Sequence, residues 1–268
     1  GGGGQHHISR GTAGGWIGFV VQSDRNNVRY STGTGPFAGF IISGKRNYIH
    51  HSKANNASYG FSVSGEANTI SENTATASFG FSVSGLNHMV TNNVAAGFGS
   101  LTGFILQNAT GVKAKGNGAT GSFRGFSISN SSGLDIDYNI ASGNADTGIY
   151  VNGISNSQIR RNEAGSNGLN GIWLYSGSAT VSDNAASGNL FGDGILVSPD
   201  FSNSLIKDNL VDNNGGSGIH LPLGVGGMTI QDNDGTGNSE FDFQDDNMNC
   251  GTNLWINNNG TGSQACVQ

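Results

Sequence analysis

Arg124, Asp193, Tyr175 and His220 are the residues of this chain best suited to move a proton, and Trp173, Tyr150, Asn170 and Asn152 are those best suited to hold a sugar beside them. Removing a proton α to a carboxylate, or protonating a glycosidic oxygen, needs a base, a proton donor and a cation to offset charge, and those types are all here. Exposed aromatic rings accept the C–H faces of sugars while nearby polar groups meet the hydroxyls. These eight residues are spread over nearly a hundred positions. Their chemistry depends on an element that gathers them.

That element is a repeat. A glycine followed by Phe or Ile, any residue, then Val, Ile or Leu recurs from Gly18, through Gly60, Gly103, Gly148 and Gly194, to Gly218, with a degenerate copy at Glu240-Phe241-Asp242-Phe243 and a mean period of about 22 residues. A second phrase places an aliphatic residue three positions before an asparagine, as in Ile70/Asn73, Ile136/Asn139, Ile159/Asn162 and Ile206/Asn209. In later periods another asparagine follows five residues on, at Asn144, Asn167, Asn189, Asn214 and Asn238. Each period reads as short strands joined by turns, with no room for a helix.

Alternation in strands puts Phe61, Phe81, Phe104, Phe126, Ile149, Ile172, Ile195 and Ile219 in one inward column if each period is a rung. Equivalent asparagines can then hydrogen-bond to their copies about 4.8 Å above and below. The expected fold is an all-β, single-stranded parallel β-helix of about 10–11 rungs, each touching mainly its neighbours. Residues 1–14 form an N-terminal tail or partial first rung, 15–260 the β-helix, and 250–268 a terminal cap. Gly1 to Gly4 read as a linker; His6, His7 and Arg10 as tail.

The outward column contains Tyr150, Trp173, Leu196 and His220, with Asn152, Tyr175 and Ser198 two positions along. The residues before each glycine add Arg124, Thr147, Asn170 and Asp193, with Asp146 one further back. Strand rise and strand spacing put Asp193 roughly 10–12 Å from His220, too wide for the ~5–5.5 Å or ~6.5–9.5 Å of paired glycosidase carboxylates. Asp183, Asp208 and Asp232 form an acidic row that could hold Ca²⁺ but is more simply solvated, with Lys207 expected on the other side of its strand. Lys115, Asp137 and Arg160 alternate in sign and read as surface ion pairs. His50 and His51 read as turn or surface residues.

Stretches such as Asn156-Ser157-Gln158-Ile159-Arg160-Arg161-Asn162 and Asn170-Gly171-Ile172-Trp173-Leu174 resemble the repeats of right-handed pectate-lyase-like proteins, closest in style to the NosD-like and mannuronan-epimerase-like group. The resemblance covers roughly residues 15–260 and implies right-handedness and action on a polysaccharide. The Asp-Pro-His-Asp motif of the epimerases is missing, since the only prolines are Pro36, Pro199 and Pro222, which speaks against that particular reaction.

Glycine is 46 of 268 residues, charged residues are 11%, and the formal net charge is −6. No run of 18 apolar residues exists, so no membrane span is expected, and the charge argues against nucleic acid as a partner. Cys250 and Cys266 lie where the last rung needs covering and are expected to form a disulfide, which implies an oxidising compartment. The ending Cys250, Asn253-Leu254-Trp255, Cys266 is similar to that of secreted bacterial β-helix proteins. No signal segment is visible, so the sequence reads as a mature form; Asn56, Asn108, Asn130 and Asn259 would be acceptors only in a glycosylating host.

Two functions remain open. One is a secreted, monomeric polysaccharide lyase, epimerase or hydrolase with its glycan along the groove beside Trp173. The other is a non-catalytic surface or adhesion module that binds glycan or a partner protein. A partly buried acid or histidine with a shifted pKa beside the aromatic patch would favour the enzyme.

Overall fold

Every strand pairing among the described residues is parallel and links residues one period apart, as in Phe81 with Phe104 and Ile172 with Ile195. The computed structural model describes residues 6–267, the side chains of 97–99 excepted, as a right-handed parallel β-helix of about 11 turns. Gly1–Gly4 lie outside the described residues. Among those described, the only helical segment is a single 3₁₀ turn, Met248–Cys250. None is long and apolar enough to cross a membrane.

The core is a set of stacked columns. Phe40, Phe61, Phe81, Phe104 and Phe126 lie ring on ring with centroids 4.6–4.9 Å apart, and Ile149, Ile172, Ile195 and Ile219 continue the column, all 0% exposed. Each aromatic contact adds about 0.5–1.5 kcal/mol beyond burial. The three-residue strands Thr69–Ser71, Asp135–Asp137 and Leu205–Lys207 supply Ile70, Ile136 and Ile206 to a second wall. Ala54, Ala75, Ala95, Ala119, Ala141, Ala164 and Ala186 line the third.

The leading glycines owe their place to close approach rather than to positive φ. A Cβ on Gly60 would lie 2.7 Å from the Ala75 Cβ, and one on Gly148 would lie 2.7 Å from both the Asn167 amide and the Gly171 carbonyl oxygen. The left-handed conformation falls instead on corner residues with side chains: His51, Glu72, Asn92, Tyr138, Arg161, Asp183, Asp208 and Asp232 all have φ of 51–57°. Asn and Asp tolerate that region better than most residues. The acidic row is therefore a row of corner residues.

Directly after those corners runs a buried asparagine ladder: Asn73, Asn93, Asn117, Asn139, Asn162, Asn184, Asn209, Asn233 and Asn258. Asn162 Nδ2 donates to Asn184 Oδ1 (3.0 Å) and to the Ile136 carbonyl (2.9 Å), while its own Oδ1 accepts from the Asn139 backbone N–H (2.9 Å). The ladder satisfies backbone groups that the corner leaves without a partner. Asn117 escapes the sequence pattern because Ala114 stands where the aliphatic residue is expected. A parallel ladder of Asn144, Asn167, Asn189, Asn214 and Asn238 ends on Asp242.

The two ends differ. His7–Ser9 and Thr12–Ala13 pair with Asn27–Arg29 and Thr32–Gly33, so part of the N-terminal segment is a first rung and His7 belongs to it. At the other end Cys250 is bonded to Cys266, Trp255 packs against Phe243, and Val267 is buried in the same core. Asp245, 3% exposed, accepts from Trp255 Nε1 (3.0 Å) and from the side-chain amides of Asn247 and Asn253.

Asn162→Ala removes the partners of the Asn139 N–H and the Ile136 carbonyl, so unfolding stability should fall by about 2–5 kcal/mol. Urea unfolding beside the surface control Gln158→Ala reads this directly, and a loss below about 0.5 kcal/mol would make the ladder dispensable. Opening the disulfide should cost about 3 kcal/mol by the entropy of the freed loop. Two titratable thiols per unreduced, unfolded chain would contradict the bond.

Candidate functional site

Parallel register places Tyr150, Trp173, Leu196, His220 and Gln244 in one outward column on successive rungs. Tyr150 meets Trp173 edge-on at 5.2 Å, and Tyr175, 40% exposed, meets it edge-on at 5.8 Å. Trp173 is half-buried, and its indole N–H donates to Ser198 Oγ at 3.0 Å. Three rings fixed against one another form a platform that needs little ordering when a ligand arrives.

Arg124 borders the platform. Its guanidinium lies 4.2 Å over the Tyr150 ring and its Nε donates to Asp146 Oδ2 at 2.7 Å. Burial is the main cause of a raised Tyr150 pKa, with Arg124 opposing it. Asn152 Oδ1 accepts from Ser176 Oγ at 2.7 Å. Asn170 points inward: it is 7% exposed and its Oδ1 accepts from the Asp193 N–H, so it supports Asp193 instead of facing a ligand.

Asp193 and His220 touch, contrary to the 10–12 Å expected from the sequence: Asp193 Oδ2 and His220 Nδ1 are 3.3 Å apart. The expectation took the chain as extended through Asp193, whereas the strand begins only at Ile195 and Asp193 sits at the corner before it. From there its carboxylate reaches the next rung, where Oδ1 also accepts from the Ser217 N–H at 2.7 Å. The other imidazole nitrogen, Nε2, meets Asp246 Oδ2 at 3.1 Å. Asp246 carries no signal in the repeat because it follows the last rung strand, Phe243–Asp245. Gln244 Nε2 donates to Asp246 Oδ1 at 3.0 Å and its Oε1 accepts from the Ser217 hydroxyl.

Burial by itself would lower the His220 pKa, but hydrogen bonds and charge from Asp193 and Asp246 outweigh it and raise the pKa to about 9. Burial likewise favours the neutral form of Asp246, and His220 and Gln244 overcome this to hold its pKa low. The cluster is a carboxylate–imidazolium–carboxylate at neutral pH, with a shifted histidine beside the aromatic platform.

Other sequence-based candidates resolve differently. Lys207 Nζ lies 2.9 Å from Asp208 Oδ2, so it is in the acidic row rather than across the strand, and Gln231 donates to Asp232. Among the described residues no group of three or more His, Cys, Asp or Glu is arranged to hold a metal. Asp137 is 2% exposed and bidentate with Arg161 (2.8 Å to each oxygen), while Arg160 pairs mainly with Asp135. The Asp137 carboxylate is buried, while Arg161, Lys115 and Arg160 reach it from the surface. His50 is 9% exposed and buried within its strand, which overturns its reading as a surface residue.

Residues 38–186 match the family described as right handed beta helix region, and this chain belongs to that family. The fold is similar to the A-module of the Azotobacter vinelandii mannuronan C-5 epimerase AlgE6, with a TM-score of 0.65, 15% identity, and 97% of this chain and 90% of that one covered. It is also similar to the periplasmic alginate epimerase AlgG (TM-score 0.73, 15% identity, 97% and 75% covered) and to the Dettilon tailspike protein (0.59, 16%, 94% and 61%). At these identities the likeness is one of fold. Among curated protein sequences there is no match.

The His220 pKa predicts a pH dependence of stability. A pKa raised from 6.5 to about 9 on folding stabilises the protein fully below pH 6.5, and the contribution is lost as pH rises through 9. Urea unfolding should show a loss on the order of 3 kcal/mol across that window, flattened in His220→Gln. Equal slopes in the two proteins would remove the clamp.

Proposed function

We propose that this chain is a secreted polysaccharide-active enzyme that binds a glycan along Tyr150, Trp173 and Tyr175 and transfers a proton at Asp193–His220–Asp246. The observation that carries this reading is a partly buried, clamped imidazolium two rungs, or about 10 Å, from the aromatic platform on the same outward column. A chain lying along the helix axis would then place successive sugars over the rings and over His220.

Cleavage by elimination or by hydrolysis requires a proton on the departing glycosidic oxygen. His220, charged at neutral pH, is the donor, through the Nε2–H it shares with Asp246. Asp193, buried, orients the ring through Nδ1 and stabilises its charge. Asp246, the more exposed carboxylate at 40%, is placed to accept a proton from the glycan or from water. Arg124 engages Asp146 through Nε and leaves its terminal nitrogens for an acidic or hydroxyl group of the ligand; Tyr175 closes the rim. The disulfide and the likeness of fold to a periplasmic epimerase support secretion.

A second reading, a non-catalytic glycan-binding module, draws support from the pairing of both cations: Arg124 and His220 are already neutralised by carboxylates.

Trp173→Ala should weaken binding to a polysaccharide array by about 1–3 kcal/mol with the fold retained, on the scale of one large side chain. Asp246→Asn and His220→Gln should abolish new reducing or unsaturated ends while binding changes little, and wild-type turnover should fall as pH rises through about 9. Binding without turnover in the wild type would select the module; unchanged binding in Trp173→Ala would move the ligand off this face.

A further inference from the structure

On another wall near the N-terminal end lies a pair of imidazoles that the proposed glycan site does not use. His50 closes the strand Tyr48–His50, and His51 follows at a left-handed corner with φ 51°, so the adjacent rings turn toward each other. Their Nδ1 atoms are 2.9 Å apart. Each outer nitrogen meets an oxygen that can only accept: His50 Nε2 faces Asn27 Oδ1 at 3.1 Å, and His51 Nε2 faces Glu72 Oε2 at 2.8 Å. Both Nε2 atoms therefore carry the proton.

Two neutral rings so oriented bring two bare lone pairs to within 2.9 Å of each other. Only a shared proton or a cation makes that contact favourable. Metal–imidazole bonds are about 2.0–2.1 Å long, so two nitrogens 2.9 Å apart subtend about 90° at a bound ion, the cis angle of a tetragonal site. A carboxylate and an amide carbonyl behind the two rings match the outer support that orients metal-binding histidines. Tyr48 stacks on His50 with centroids 4.0 Å apart, which fixes that ring, and the His51 side chain is 37% exposed, which opens the pair to solvent.

We propose that His50 and His51 form a binding site for a divalent first-row transition ion, held through both Nδ1 atoms with water completing its coordination. No third His, Cys, Asp or Glu joins them among the described residues, so the ion is exchangeable and the chemistry favours Cu²⁺ or Ni²⁺ over Ca²⁺ or Mg²⁺. The site is independent of the glycan reading.

The test is a Cu²⁺ titration of the chelator-stripped full chain, read by calorimetry and by electron paramagnetic resonance. One equivalent with two-nitrogen hyperfine coupling is expected. His51→Ala should weaken it at least tenfold and leave one coupled nitrogen, and Glu72→Gln should weaken it about 10–100-fold through the lost outer support. A thermal melt of His51→Ala matching the wild type excludes misfolding as the cause. His6 and His7 form another adjacent pair, so the double variant His6→Ala/His7→Ala is the control and should bind as the wild type does. Unchanged affinity in His51→Ala, or a site lost with His6 and His7, would overturn the proposal.

Discussion

Everything on the surface of this protein depends on the registration of one rung over the next, and the buried asparagine ladder is its most specific element. Hydrophobic columns alone permit sliding, because Phe on Ile or Val on Leu costs little when volumes are similar. An amide that must satisfy the backbone one rung away admits a single arrangement. Asn184 illustrates the constraint: its Oδ1 accepts from the N–H and Nδ2 of Asn162, while its Nδ2 donates to the Ile159 carbonyl and to Asn209. Each ladder can end only on a residue with compatible atoms. A third, shorter series runs from Asn26 through Asn47 and Asn68 to His88, whose Nδ1 accepts from the Asn68 N–H, and the Asn144 ladder ends where Asp242 accepts from the Asn238 amide.

With the inside so determined, the outward positions are free to differ from rung to rung. Early rungs carry Ser62 and Ser82 where later ones carry Tyr150, Trp173 and His220. Charge follows the same freedom. Residues 1–161 hold 11 Lys and Arg against 6 Asp and Glu, and residues 162–268 hold 1 against 12. The aromatic platform stands where this balance reverses, which explains why its cations are paired and why His220, on the acidic side, is held protonated.

The repeat made the architecture legible. A period of about 22 residues, alternation within it, and recurring asparagines were enough to place the Phe column, the outward aromatics and the terminal cap, since all of these follow from strand geometry applied once per rung. The same regularity misled at corners. Strand rise places Asp193 wrongly because it lies off the strand, Lys207 joins Asp208 instead of lying across its strand, and the bidentate partner of Asp137 is Arg161, which the alternation of Lys115, Asp137 and Arg160 does not include. Asp246 lay outside any repeat.

The sequence by itself determined which residues point inward and which share a column, because both depend only on periodicity and on the two faces of a strand. Tertiary structure decided which side chains meet. Asp193, just ahead of its strand, reaches the next rung, the left-handed corner at His51 turns its ring toward His50, and side-chain reach brings Asp246 onto His220; these are matters of a few ångströms, set by local backbone and rotamers that spacing does not encode.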